Sequence, residues 1–315
     1  MKNIYSNIFP FNQKTLNKTV AILKKGNVVG LPTETVYGLA GNAYSKNAVQ
    51  KIFNLKKRPK KNPLIVHYLN YKDADKDVIF DSNFYKLYKK FCPGPITFVL
   101  KRKNKSKIQS SVTANLNTVA IRFPSHSNTR SILKKINFPL AMPSANLSSG
   151  ISPINAFDVS EEFKKKIKII INGGNAKFGI ESTVINLIGK PKILRPGIIG
   201  PKIISKFLKI SFIKNNSKIR SPGMLKRHYS PGIPVFLNQK KAQKNCALIT
   251  LGKKYKNKKN FFNLSKNSDL KEAASNLYKT FRKIKKQGFK KIYVVKIPNQ
   301  GLGIAINDRL KKAAY

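Results

Sequence analysis

Two spaced pairs of side chains carry the first chemical signal in this chain. Lys56-Lys57-Arg58 leads into a loop that also holds Lys60 and Lys61 between Pro59 and Pro63, and Ser144-Ala145-Asn146 follows a short apolar run. Lysine supplies a point charge and arginine a planar fork of donors, and phosphate oxygens accept both. The flanking prolines limit the loop's freedom and lower the entropy cost of holding an anion. Ser144 and Asn146 would add neutral hydrogen-bonding groups. Each pair also has a plainer reading, the cations as a solvated basic loop and Ser-Ala-Asn as a turn or helix cap.

Further polar residues stand where apolar runs end. His67 closes Leu64-Ile65-Val66, Arg122 closes Val119-Ala120-Ile121, and Pro32 to Gly38 (PTETVYG, with Thr35) follows Val28 to Leu31. In open α/β sheets ligands gather in the crevice beyond strand ends. Four such ends predict one cleft lined with hydroxyls, an imidazole and a guanidinium. A buried arginine needs an anion. With only 12 Asp plus Glu in 315 residues, Arg122 would meet either a structural carboxylate or a ligand's. His67 reads as a satisfied core histidine or as a substrate contact. Tyr229, in HYSPG at 228–232, sits in a linker as a plain tether or as a lid that excludes water.

The elements that would position these residues follow from hydrophobic periodicity. Helices are expected over 15–25, 45–57 (N-cap Ser45), 82–91 and 127–136. Strands are expected over 28–31, 64–67, 96–100, 119–123, 139–142, 167–172, 183–188 and 192–195. Their interleaving predicts an α/β domain with a mixed sheet. Residues 211–234 are rich in Ser, Asn, Pro and Gly and read as a linker. Strands at 246–251 and 291–295 and helices at 268–287 and 303–313 then form a smaller α/β unit. The expected division is a catalytic domain over 1–210, a linker or lid over 211–234, and a small domain over 235–315.

Composition excludes more than it assigns. No apolar stretch approaches the roughly 20 residues of a membrane span, and the start MKNIYSNIFPFNQK lacks the apolar run of a signal peptide. Cys92 and Cys246, the only cysteines, lie far apart. A disulfide framework is not expected, and a reducing cytoplasm is. There is no zinc spacing, Gly-x-Ser-x-Gly elbow or Walker A string. The net charge of +51 would draw polyanions in a salt-dependent way. The lysines are spread along the whole chain, so compositional drift is the favoured reading of the charge, which by itself assigns no function.

At these residues the chain resembles the YrdC-type L-threonylcarbamoyladenylate synthases in their longer two-domain form. The resemblance rests on nine collinear strings: GLPTETVYGLAGNA, KIFNLKKRPKKNPLIVH, CPGPITFVL, VAIRFPSH, PSANLSSG, ESTVINL, ILRPG, SPGMLKRHYSPG and GIAINDRLKKAA. It implies a YrdC-like twisted mixed sheet with helices, plus a smaller Rossmann-like α/β domain. It also implies synthesis of threonylcarbamoyl-AMP and pyrophosphate from L-threonine, bicarbonate or CO2, and ATP. The family's K-x-R and S-x-N signature falls on Lys56, Arg58, Ser144 and Asn146 as catalytic residues. The implied ATP contacts are Arg58, Asn62, Thr118, Ser144, Ser152, Arg195 and Tyr229. The implied threonine contacts are Thr35, His67, Arg122 and Ser182. Mg2+ is expected on the triphosphate, held by substrate oxygens, with no metal site of the protein's own. A separate transferase is expected to pass the threonylcarbamoyl group to the tRNA adenosine beside the anticodon. Two positions depart from the family pattern. Cys92 replaces an aromatic residue before Pro-Gly-Pro, and Lys57 fills a place often held by a small residue. The competing readings are a non-catalytic basic RNA-binding protein and a carbamoyl-transfer module. The first leaves the neutral residues of the cleft unexplained. The second lacks its usual companion domains here.

Overall fold

The computed structural model describes residues 5–210, 228–241, 243–255 and 258–314. The chain begins with strand β1 (Ile8–Pro10) and helix α1 (Gln13–Lys24), which starts at Asn12 in a capping box with Thr15. Strands β2 (Val29–Leu31) and β3 (Gly38–Asn42) pair antiparallel around the loop 32–37. Helix α2 (Lys46–Lys56) is capped by Ser45, as expected, and stops where Lys57 turns left-handed at φ 49°. Then come β4 (Ile65–His67), α3 (Tyr71–Ala74), β5 (Val78–Ile79), α4 (Ser82–Phe91), β6 (Ile96–Arg102), β7 (Thr118–Arg122), α5 (Ser127–Lys135) and β8 (Leu140–Ala141). Helix α6 (Ala156–Phe163), β9 (Ile170–Asn172), β10 (Thr183–Asn186), β11 (Lys192–Arg195) and α7 (Pro201–Leu208) complete the first unit. The second holds β12 (Val235–Phe236), β13 (Ala247–Thr250), β14 (Phe261–Asn263), α8 (Leu270–Lys286), β15 (Ile292–Val294) and α9 (Gly303–Ala313).

Strands β1 to β11 form one mixed sheet in the order β1-β9-β2-β3-β8-β4-β7-β6-β10-β11, with β5 paired to β6. The remaining four form a separate parallel sheet in the order β12-β15-β13-β14. The expected linker falls mostly outside the described residues, which resume at His228. Among the described residues, five strands and three helices of this fold were not anticipated: β1, β3, β5, β12, β14, α3, α6 and α7. Helix α7 carried a readable signal, Pro201 at its first position. Helix α6 carried another, an Asn155 cap three residues before Asp158.

The large sheet has two unlike faces. Side chains alternate along a strand, and paired residues share a face. Val66, Ile121, Phe98 and Ile185 point to one side, into a broad core that includes Phe84 of α4 and Val159 of α6. The other side of the same strands has only a small apolar cluster of Ile65, Val99, Ala120 and Val184. A polar row crosses that side through paired positions: His67 with Arg122, Arg122 with Thr97, Thr97 with Val184, and Val184 with Arg195. Thr118 lies on the same face, at the far end of β7. The functional residues thus stand on a sheet face. They also gather where strands end, as expected from sequence: His67, Arg122 and Arg195 are the last residues of β4, β7 and β11, and the pleat turns them to one side with Thr97 and Val184, each one residue into its strand.

Gly197, just past β11, fixes how that strand returns over the start of β10. A Cβ there would lie 2.4 Å from the Thr183 amide nitrogen and 2.5 Å from the Ser182 carbonyl carbon. Gly197→Ala is therefore expected to lower stability by roughly 1–3 kcal/mol through overpacking against backbone. Urea denaturation of the two proteins measures this, and an unchanged midpoint would refute the close approach.

Candidate functional site

The cavity on this face is floored by Ile65, His67 and Arg122 and walled by three loops. Loop 32–37 contributes Thr33, the segment after α2 contributes Arg58, and the segment after β8 contributes Ser144. Glu181, Arg195, His228 and Tyr229 close it. The enclosed space is only about 40 Å³, against several hundred for a typical small-molecule site. Tyr229 is fully buried, with φ of 62°, and its hydroxyl has no partner among the described residues.

The basic loop divides in two. Lys57, Lys60 and Lys61 are exposed, as a solvated loop would be, whereas Lys56 and Arg58 are buried. Arg58 is held by its own loop. Its Nε donates to the Asn62 carbonyl at 3.0 Å, and its Nη2 donates to Asn62 Oδ1 at 2.7 Å and to the Pro63 carbonyl at 2.8 Å. Burial lowers its pKa to about 9, with Arg195 acting in the same direction, so it is still charged near neutrality. Asn62 serves this site by orienting Arg58. Lys56 does not line the cavity. Its Nζ donates to the Ser144 carbonyl at 2.5 Å and to the Asn146 carbonyl. Burial pushes the ammonium well below its ordinary pKa, and the Arg58 charge adds to this. Lys56 thus clamps the Ser-Ala-Asn loop from behind. Ser144 Oγ lies 2.6 Å from Asn146 Oδ1, and Asn146 Nδ2 donates to the Leu147 and Gly150 carbonyls. Ser144 faces the cavity, and Asn146 shapes the turn.

Arg122 has the structural carboxylate that sequence left open. Its Nη2 donates to Glu34 Oε1 at 2.7 Å, and Glu34 Oε2 accepts from the Ser125 amide. Burial pushes Glu34 up, but the Arg122 charge and these hydrogen bonds outweigh it and hold the carboxyl below its usual pKa. Arg122 Nε is nevertheless buried without a partner among the described residues. His67 Nδ1 is also unpartnered among the described residues, and burial together with the Arg122 charge drives the imidazole well below its ordinary pKa, so it is neutral. A buried orphan donor costs free energy unless something satisfies it. An orphan guanidinium nitrogen beside a neutral imidazole suits a small ligand that carries an anionic oxygen.

Thr35 is buried behind the wall, its hydroxyl 2.9 Å from that of Thr33, which does line the cavity. Ser182 is likewise buried, 2.7 Å from Thr97 Oγ1, and accepts from Arg195 Nη2 at 3.1 Å. Thr118 is half-buried and away from the cavity, two residues before Ala120, which pairs with Ile65. Ser152 is fully buried and donates to Glu181 Oε1 at 2.6 Å. Of the expected residues, the fold gathers Arg58, His67, Arg122, Ser144, Arg195 and Tyr229 at one cavity. It places Lys56, Asn62, Asn146, Thr35, Ser182 and Ser152 behind them as supports.

Sequence reasoning missed Glu34, Glu181, Thr33 and His228. In a chain with 12 acidic residues, the two that stand directly beside Thr35 and Ser182 were the available signal. His228 is pushed down to about 3 by burial, against the pull of Glu181, so it adds a neutral ring. Cys92 packs, half-buried, against the main core, and burial keeps its thiol protonated. Lys57 is the exposed left-handed cap of α2.

Comparison with known proteins matches this architecture along its length. The family model described as "Telomere recombination" matches residues 21–197, and "Threonylcarbamoyl-AMP synthase, C-terminal domain" matches 197–315. Threonylcarbamoyl-AMP synthase of Pyrococcus abyssi is 35% identical, covering 93% of this chain and 92% of its own. That of Bacillus subtilis is 33% identical, with 96% and 94% covered. The crystal structure of P. abyssi Sua5 complexed with L-threonine superposes with a TM-score of 0.89 at 32% identity, covering 98% of this chain and 97% of that one. The chain belongs to the Sua5/YrdC family of threonylcarbamoyl-AMP synthases, in the form that carries the additional C-terminal domain.

Proposed function

We propose that this chain joins L-threonine, bicarbonate or CO2, and ATP into threonylcarbamoyl-AMP and pyrophosphate. The observation that carries this reading is the polar row across the sheet face, in a chain that aligns over nearly its whole length with synthases of that name. Arg122 and His67 offer a place for the amino acid's carboxylate and hydroxyl at one end, and Arg195 and Arg58 a place for phosphates at the other. The threonine amine attacks CO2 in its uncharged form, making a C–N bond and releasing a proton. The resulting carboxylate oxygen attacks the α-phosphorus as the bond to pyrophosphate breaks. Two anions must therefore approach, at a cost of roughly 4 kcal/mol at 4 Å with an effective dielectric of 20. Arg58, held in place by Asn62, offsets this and stabilises charge on the phosphorus oxygens. Lys56 fixes Ser144 for contact with the nucleotide.

Mg2+ would travel with the triphosphate, held by substrate oxygens and water. The protein's own carboxylates here are engaged, Glu34 with Arg122 and Glu181 with Arg309. Among the described residues no three metal-ligating side chains cluster. The product is a mixed anhydride that water destroys, so it suits prompt use by a separate transferase acting on tRNA in the cytoplasm. No described helix is long and apolar enough to cross a membrane. The surplus positive charge is compatible with tRNA contact. A purely RNA-binding role would leave the buried neutral groups around Arg122 without purpose.

Pyrophosphate release that requires both threonine and bicarbonate tests the reaction. Arg122→Ala should raise the KM for threonine about 10- to 100-fold, the loss of charge-assisted hydrogen bonds, with the KM for ATP nearly unchanged. An equal rise in both would place Arg122 elsewhere in the mechanism. Because His67 is already neutral, His67→Gln should raise the threonine KM yet leave the shape of the rate profile between about pH 6 and 8 unaltered. Loss of an acidic limb in the variant would show instead that His67 titrates there. Tyr229 fills space that a nucleotide needs, so it must lift to admit ATP and return to exclude water. Tyr229→Ala should divert ATP into free AMP or abolish turnover, as product chromatography would show. Unchanged product yield and ATP affinity would remove its role as a lid.

A further inference from the structure

One carboxylate, Glu181, joins the two sheets at the cavity wall. It is buried, stands just ahead of β10, and accepts from Ser152 Oγ at 2.6 Å. Its other donors come from the second unit. The Tyr278 hydroxyl on α8 lies 3.0 Å from Oε2 and 3.1 Å from Oε1, and Arg309 Nε on α9 donates to Oε2 at 3.0 Å. Both side chains are fully buried. Arg309 reaches two further features of the site. Its Nη1 donates to the carbonyl of Pro196, next to Arg195, at 2.6 Å, and its guanidinium carbon lies 5.2 Å from the centre of the Tyr229 ring. Tyr278 stacks on that same ring, with centroids 5.9 Å apart and planes at 25°.

A buried ion pair is a weak device for stability alone, since apolar packing of equal volume often serves as well. Apart from Asp308, which accepts from Arg309 Nη1 at 2.9 Å, the contacts of the pair named above lead toward the nucleotide end of the cavity. Glu181 is not itself suited to proton transfer. Burial raises its pKa, but Arg309 and Arg195 outweigh that and hold it at about 2. It is a fixed anion across the working range.

We propose that Tyr278 and Arg309 are positioning residues for the nucleotide. They act through Glu181 on Ser152, through the Pro196 carbonyl on Arg195, and through the ring contact on Tyr229, so the second unit completes the ATP pocket. The proposal rests on the synthase reading, in which Ser152, Arg195 and Tyr229 serve ATP. Threonine is gripped at the other end of the row, by Arg122 and His67, which the joint does not touch.

Titration calorimetry of the full chain with α,β-methylene-ATP and Mg2+, and separately with L-threonine, tests this. Tyr278→Phe removes one hydroxyl and keeps the stacked ring. It should weaken nucleotide binding about 10-fold while threonine binding changes less than about 2-fold. Arg309→Lys keeps the charge but cannot hold both Glu181 and the Pro196 carbonyl, and should weaken nucleotide binding further. Unchanged nucleotide affinity in Tyr278→Phe would overturn the proposal, as would equal losses for both ligands that follow the melting temperature. If the unmodified chain binds neither ligand, the synthase reading fails and the proposal with it. If it binds both and Tyr278→Phe binds normally, only the proposal fails.

Discussion

A buried guanidinium is costly without an anion beside it, and this site depends on two arginine–glutamate pairings. Glu34 holds Arg122 and Glu181 holds Arg309, with both partners of each pair almost fully shielded from water. Breaking a buried pair from one side typically costs roughly 3–5 kcal/mol, because the surviving charge is stranded. In a chain with 63 basic and 12 acidic residues, committing two acids this way is significant. Each pairing leaves something unsatisfied, Arg122 Nε in one and Arg309 Nη2 in the other. The carboxylates therefore keep the arginines folded in without using up all of their donors.

Around these anchors the sheet divides its labour. One face carries the apolar residues that hold the fold together. The other carries a polar row with little apolar cover, and the segment at His228 and Tyr229 closes over it. The same strands thus supply rigidity and chemistry. A positioned group is useful in catalysis only if its own geometry is fixed. Lys56 behind Ser144, Asn62 behind Arg58 and Thr97 behind Ser182 all provide that fixity.

Much of the fold was legible because helices and strands announce themselves by period. Helix 82–91 and strand 192–195 fall where the pattern put them, and Ser45 caps α2 as its type predicts. Strand β3, GLAGN, was missed because glycine and alanine give no alternation to read. Strand β14 and helices α6 and α7 were passed over because they are short, three and eight residues long, and show too few turns or alternations for a period to stand out, although Asn155 and Pro201 mark the helix starts. At the site, Arg58, His67, Arg122, Ser144 and Tyr229 were legible from residue type and context, and Arg195 from the family resemblance. Glu34 and Glu181 were not, since nothing in one dimension links a glutamate to an arginine 88 or 128 residues away.

By itself the sequence determined the family, the alternation of helix and strand, and which residue types could meet phosphate, carboxylate and amine. These depend on local pattern and on strings that survive in order along the chain. Only the tertiary structure decided that the residues meet on a sheet face, that Lys56 supports a loop from behind, and that the C-terminal helices reach the cavity wall. Those outcomes depend on strand register and on charge pairing across long separations, which short-range spacing does not encode.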